Sequence, residues 1–238
     1  MSALQWLYGL RWTVLPPAAG VAMLALSVGA LVAAPREVIE GDVQRLLYIH
    51  FPSIVAAYLS FAVVFVASVM VLWRRDMRWD AVAHGAATVG VLFTGLTLAT
   101  GALWGKPVWG VYWTWDARLT STLVLFLIYC AYLIARSLAD ALDERAARYA
   151  AVFAIIGALD IPLIMMSVRW WRTLHPQPII VRGLDAPAMP GEMLAVLLIG
   201  FAATLLVALW FMVLRIDTER LAQRTASLRA AVDRYEGA

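Results

Sequence analysis

Six apolar runs, each about as long as a bilayer is thick, leave this 238-residue chain few folds to choose from. A helix needs about 20 residues to cross the hydrocarbon core. The runs cover approximately 16–34, 51–73, 81–103, 119–138, 149–168 and 193–214. In lipid every backbone N–H and C=O must be satisfied inside the segment, so such runs become helices. Short polar connections make neighbouring helices antiparallel. The expected fold class is an all-α integral membrane protein, a bundle of six transmembrane helices in one membrane domain over residues 1–214, with an outward-facing Trp-rich loop at 104–118. At 63% hydrophobic residues the chain is unlike a soluble domain. After the last run, Leu221, Leu228, Val232 and Tyr235 recur at helical spacing among charges, so residues 215–238 read as an amphipathic cytoplasmic tail. The start, MSALQWLYGLRW, is followed by no small-residue cleavage site, and the first run is expected to be a retained span.

Charge sets the expected orientation. Six spans put both termini on one side, with Arg11, Arg74, Arg75, Arg78, Arg136, Arg145, Arg148 and the arginines from Arg215 to Arg234. These outnumber the basic residues of the other side, so the termini are expected in the cytoplasm of a bacterial inner (plasma) membrane protein, with the Trp-rich loop in the periplasm. A net charge of +3 and no basic soluble domain argue against nucleic acid as a partner. Cys130 is alone, so it forms no intramolecular disulfide and no cysteine-rich metal site.

The stretch Trp104 to Arg118, WGKPVWGVYWTWDAR, carries Trp104, Trp109, Trp113, Trp115 and Tyr112 with Lys106, Asp116 and Arg118. Tryptophan gathers at membrane interfaces because its ring is apolar and its N–H wants a partner. A belt, however, needs one or two aromatics per span, not five in one connection. Gly105, Pro107 and Gly110 point to a shaped loop. Two other outward segments bring histidine to the same surface. VQRLLYIHFPS places His50 at the start of span two, with Pro52 suited to the first turn of that helix. Span five leaves the membrane as SVRWWRTLHP, ending in His175. Taken alone, His50 reads more readily as an interfacial histidine bonded to backbone or water. His84, at the inner end of span three with only Asp80 close in sequence, reads as a packed or helix-surface residue. Asp160, in Asp160-Ile161-Pro162, is either a functional group at membrane depth or a partner for backbone freed by Pro162.

Taken together these residues suit a large, planar, anionic ligand containing a metal. Two neutral imidazoles, His50 and His175, form a bis-histidine axial pair for the iron of haem b. Trp104, Trp109, Trp113 and Trp115 offer a wall for the macrocycle. Lys106, Arg118 and Arg172, with Arg45 and Arg169, are available for propionates. A two-histidine zinc site is the other metal reading, but no third ligand is evident. An electron-transfer subunit with a b-type haem is the rival function, though its ligands usually lie inside the spans. A secondary transporter using Asp160 would leave the Trp-rich stretch without a role, and no internal repeat supports it.

WGKPVWGVYWTWDARLTS also resembles the WWD domain of haem-handling proteins, whose core WGxxWxWD is filled here by Trp109, Gly110, Trp113, Trp115 and Asp116. From YIHFPS through WWRTLHP, and in its length and span count, the chain is similar to the haem exporter protein C family of the cytochrome c maturation system. His50 and His175 fall at that family's flanking histidine positions, and His84 at none. The resemblance implies a haem-binding membrane protein that is not itself an enzyme. It implies delivery of haem to a membrane-anchored haem chaperone. It further implies association with the nucleotide-binding and membrane subunits of an ABC transporter and with a small single-span accessory protein. No glycine-rich loop followed by lysine is present, so nucleotide is expected to bind elsewhere in such an assembly.

Overall fold

The computed structural model describes Gly9 and residues 11–171, 173–175 and 189–237. Six helices are long and apolar enough to cross a membrane, and no strand occurs among the described residues. The chain is a multi-pass, all-α membrane protein. Helix α1 (Leu15–Val28) starts on Pro16 and Pro17, which need no intrahelical N–H partner there, and ends in a π-helical turn, Gly29–Ala33. Its outer face, Val21, Leu24, Leu31 and Val32, is open, as expected of a helix whose solvent is lipid. A 3₁₀ turn, Asp42–Leu46, leads into α2 (Leu47–Arg74). Arg75 stops α2 in the left-handed conformation at φ 53°, and the Asp76 carboxylate then accepts the Arg78 N–H to begin α3 (Met77–Trp109). The Arg78 hydrogen bond holds the Asp76 carboxyl below its usual range. Next come α4 (Ala117–Leu138), α5 (Glu144–Ala158), α6 (Asp160–Trp170) and α7 (Gly191–Glu236).

Helices α2 and α3 form the centre of the bundle. Their facing sides carry small residues, Ala56, Ala57, Ser60 and Ala67 against Ala83, Ala86, Ala87 and Gly90, all buried. Lipid tails are as apolar as leucine, so close backbone approach and dispersion drive this packing. A Cβ on Gly90 would strike the Phe61 ring, which itself stacks on Tyr129 of α4 at 4.0 Å between centroids. The buried hydroxyls of Ser60, Thr94 and Thr97 donate to carbonyls one turn back in their own helices. Their protons are spent within their own helices.

Several expected boundaries move. Residues 104–109, expected in the loop, are the last turn and a half of α3. Pro107 lacks one N–H, which a helix end tolerates, and the stop comes at Gly110, φ 81°, whose N–H bonds the Lys106 carbonyl. The connection itself is therefore 110–116. Pro52 lies in the second turn of α2, not the first. Its missing N–H releases the Tyr48 carbonyl, and Gly200 of α7 packs against that oxygen so tightly that a Cβ would collide with it. The fifth span starts at Glu144 rather than 149 and is broken at Leu159, where Pro162 cannot bond Ala158. Asp160 does not cap that break: its Oδ2 is buried without a hydrogen-bond partner among the described residues. The tail does not separate from span six either. Helix α7 runs unbroken through it, and Asp217, Glu219 and Gln223 are docked on Arg11, His84 and the Met77 carbonyl.

Candidate functional site

At one end of the bundle three connections meet, tied by side chains that are distant in sequence. The first is fixed to the end of α3 by Glu40, whose carboxylate accepts the Trp104 Nε1–H at 2.9 Å. The third is fixed to the second by Asp116. One Asp116 oxygen accepts the Leu119 N–H at 2.9 Å and caps α4. The other accepts the Thr173 hydroxyl at 2.8 Å and the Thr114 hydroxyl at 3.2 Å. Thr173 Oγ1 in turn accepts the His175 N–H at 3.1 Å. A single carboxylate therefore sets both the start of α4 and the segment that carries His175.

His50 stands in the first turn of α2, half-buried, edge-on to Trp104 with ring centroids 5.8 Å apart. Its Nδ1 lies 2.9 Å from Thr100 Oγ1. The Thr100 hydroxyl proton is already used, donated to the Leu96 carbonyl at 2.7 Å. Thr100 can then only accept, so Nδ1 carries the imidazole proton and the Nε2 lone pair is left for a ligand. A metal-ligating histidine needs this kind of support at its second nitrogen. Gly101 makes room for it, since a Cβ there would come to 3.0 Å from His50 Cε1.

His175 is near enough to act electrostatically on His50, and its ring sits 6.2 Å from Trp109. Its support is different. Arg118 Nη1, a pure donor, approaches Nδ1 at 3.5 Å, the outer limit for a hydrogen bond. This contact favours the proton on Nε2. Of the other expected groups, Trp115 is exposed and packs edge-on against Trp113 at 5.7 Å. Lys106 is turned back on the Gly110 carbonyl at 2.9 Å and lies over Tyr112. Arg45 is engaged by Asp42 at 3.2 Å and by the Ala30 carbonyl. Arg169 is exposed. Arg172 lies outside the described residues. Two buried donors at this end, Arg118 Nε and Trp113 Nε1, have no partner among the described residues.

The structure thus brings together His50, His175, Trp104, Trp109, Asp116 and Arg118, and turns Lys106 and Arg45 to local use. Thr100, Glu40, Thr114 and Thr173 are hydrogen-bond partners of these residues that sequence reading missed. Thr97, Thr100 and Trp104 do follow one another at helical spacing toward the site, a signal that was available. Among the described residues no three His, Cys, Asp or Glu converge as zinc would need.

A model of the family described as Heme exporter protein C matches residues 1–231. The chain belongs to the haem exporter protein C family. Among curated members of that name, the Bradyrhizobium diazoefficiens protein is 38% identical over 215 residues, covering 89% of this chain and 80% of that protein. The Haemophilus influenzae protein is 33% identical over 211 residues, covering 87% and 84%. A Marchantia polymorpha protein named putative cytochrome c biosynthesis ccmC-like mitochondrial protein is 40% identical over 142 residues, 60% of this chain and 59% of its own length.

Proposed function

We propose that this chain binds haem at the end of the bundle where its three connections meet and delivers it to a membrane-anchored haem chaperone for c-type cytochrome biogenesis. The observation that carries this reading is His50. Its Nδ1 proton is held by a threonine whose own proton is committed elsewhere, so an imidazole lone pair is prepared for a metal. The remaining fit is in the orphan donors. Arg118 Nε and Trp113 Nε1 are buried and have acceptors to find, as propionates would provide. Haem b bound there would supply an iron that takes imidazole ligands and a flat conjugated ring.

His50 would ligate the iron through Nε2, and His175 would join it once Arg118 turns from Nδ1, leaving Arg118 for a propionate. Trp104 and Trp109 flank the two imidazoles, and exposed Trp115 extends the aromatic surface outward, where a chaperone could reach it. Asp116 keeps the His175 segment in register with α4. The arginine bias supports cytoplasmic termini and a periplasmic site in the bacterial inner membrane. The chain acts as donor and scaffold, not as an enzyme, with an ABC transporter's two subunit types and a small single-span protein as partners.

Chaperone loading tests the reading. Trp113→Ala/Trp115→Ala is expected to accumulate in the membrane at near-normal levels and to yield little haem-loaded chaperone. Normal loading by that variant would sink the shared-surface idea. Its disappearance from the membrane would make the connection a folding element instead.

A further inference from the structure

Beyond the last span, α7 carries an apolar surface that nothing among the described residues covers. The helix runs unbroken from Gly191 to Glu236. Its first turns outside the span are held on the bundle, Glu219 by His84 Nδ1 at 3.0 Å and Gln223 Nε2 by the Met77 carbonyl at 2.9 Å. At ~100° per residue these two side chains share one face of the helix. Leu221, Leu228, Val232 and Tyr235 share the opposite face, about 180° away and within an arc of about 60°. Each of the four is more than half exposed.

Spacing, charge and direction narrow what can cover this face. Leu221, Leu228 and Tyr235 repeat every seven residues and Val232 stands four beyond Leu228, the pattern of a seam that receives a second helix. Arg224 borders the seam on one side and Arg229 on the other, both exposed. Every residue from Ser227 to Gly237 is exposed, and so short a free stretch of helix is marginal in water without a partner. A membrane surface does not fit, because a helix that binds one lies in its plane. Helix α7 instead continues the axis of its span, which puts Glu236 about 20 Å beyond Gln223 along it. A second copy of the chain does not fit either. Two copies in one membrane pair these helices in parallel, and a parallel seam sets Arg224 of each copy against Arg229 of the other.

We propose that this seam docks a helix of a different protein, one whose own apolar stripe is bordered by aspartate or glutamate. Leu221, Leu228, Val232 and Tyr235 supply the apolar contact, and Arg224 and Arg229 select for carboxylates on the partner. The Glu219 and Gln223 contacts fix the rotation of α7, so the seam is presented ready-made on the side away from the bundle. The haem site, at the other end of the bundle, takes no part in it.

The test uses the full chain in its native membrane. A photoreactive amino acid replaces either Leu228, on the seam, or Ala230, on the opposite face, both exposed. After irradiation the cross-linked segments are sequenced by mass spectrometry. The expected product joins position 228 to an apolar helix bordered by acidic residues, is absent at position 230, and falls about tenfold in Arg224→Glu/Arg229→Glu. Cross-linking of position 228 to lipid, to a second copy of the chain or to nothing overturns the proposal. A second measurement, on the purified full chain, reads the charge selection by fluorescence anisotropy. Its probe is a labelled synthetic helix with leucine at heptad spacing and glutamate on both flanks. Wild type should bind it about tenfold more tightly than the same helix with lysine flanks, and Arg224→Glu/Arg229→Glu should reverse that order. Equal binding of the two helices by wild type also overturns the proposal.

Discussion

Thr100→Val is the sharpest perturbation of the proposed haem site, because it changes one acceptor and almost no volume. Thr100 lies on α3, and its hydroxyl accepts the His50 Nδ1 proton at 2.9 Å while donating to Leu96. Valine removes the acceptor and leaves the Leu96 carbonyl in its helical bond, so the helix loses little. Removing the partner behind a ligating histidine typically costs about 10- to 100-fold in metal affinity. Here the Thr97 backbone carbonyl also acts on the His50 ring and would remain. The loss should therefore lie near the lower end, about tenfold, or about 1.4 kcal/mol. The assay is a haem titration of the purified protein followed in the Soret band. Thr97→Val is the control: its hydroxyl is also buried and bonded one turn back, to Phe93, but makes no bond to His50. If Thr100→Val binds haem as tightly as the control, His50 is not oriented through Nδ1 and the assignment of its lone pair fails.

Two further predictions come from the same geometry. Asp116→Asn retains the α4 cap, since asparagine caps as well as aspartate. Its amide nitrogen cannot accept the Thr173 hydroxyl, so haem retention should fall about tenfold while helix content stays unchanged. Wild-type retention in Asp116→Asn would reduce this residue to a cap. Gly200→Ala puts a Cβ against the Tyr48 carbonyl, a backbone atom that cannot swing aside. Overpacking of this kind costs about 1–3 kcal/mol, to be read as a lower unfolding temperature in detergent, and an unchanged temperature would refute the close contact.

The spans were legible because the constraint that creates them is local: about 20 apolar residues and a backbone that must bond to itself. The histidines and the tryptophans were legible as residue types at the helix ends and connections of one end of the bundle. What holds them was not. Thr100 is 50 residues from His50 and Thr173 is 57 from Asp116, so no window of sequence contains either pair. The boundary at Trp104–Trp109 was misread because Gly105 and Pro107 look like loop punctuation. Gly105 is in fact buried in the last turns of α3, where a Cβ would press on the Trp109 ring and the Val111 carbonyl. The stop belongs to Gly110 alone. His84 looked partnerless for the same reason as His50 looked ambiguous: its carboxylate, Glu219, arrives from α7 at the far end of the chain.

The central claim is that His50 is an iron ligand and His84 is not. The most direct measurement is the absorption spectrum of the haem-loaded protein, ferric and ferrous, in wild type, His50→Ala and His84→Ala. Wild type should show the low-spin spectrum of two imidazole ligands. His50→Ala should shift it to a weaker-field spectrum and lose haem on gel filtration, while His84→Ala keeps both spectrum and haem. Loss of haem from His84→Ala, with a wild-type spectrum in His50→Ala, would contradict the account.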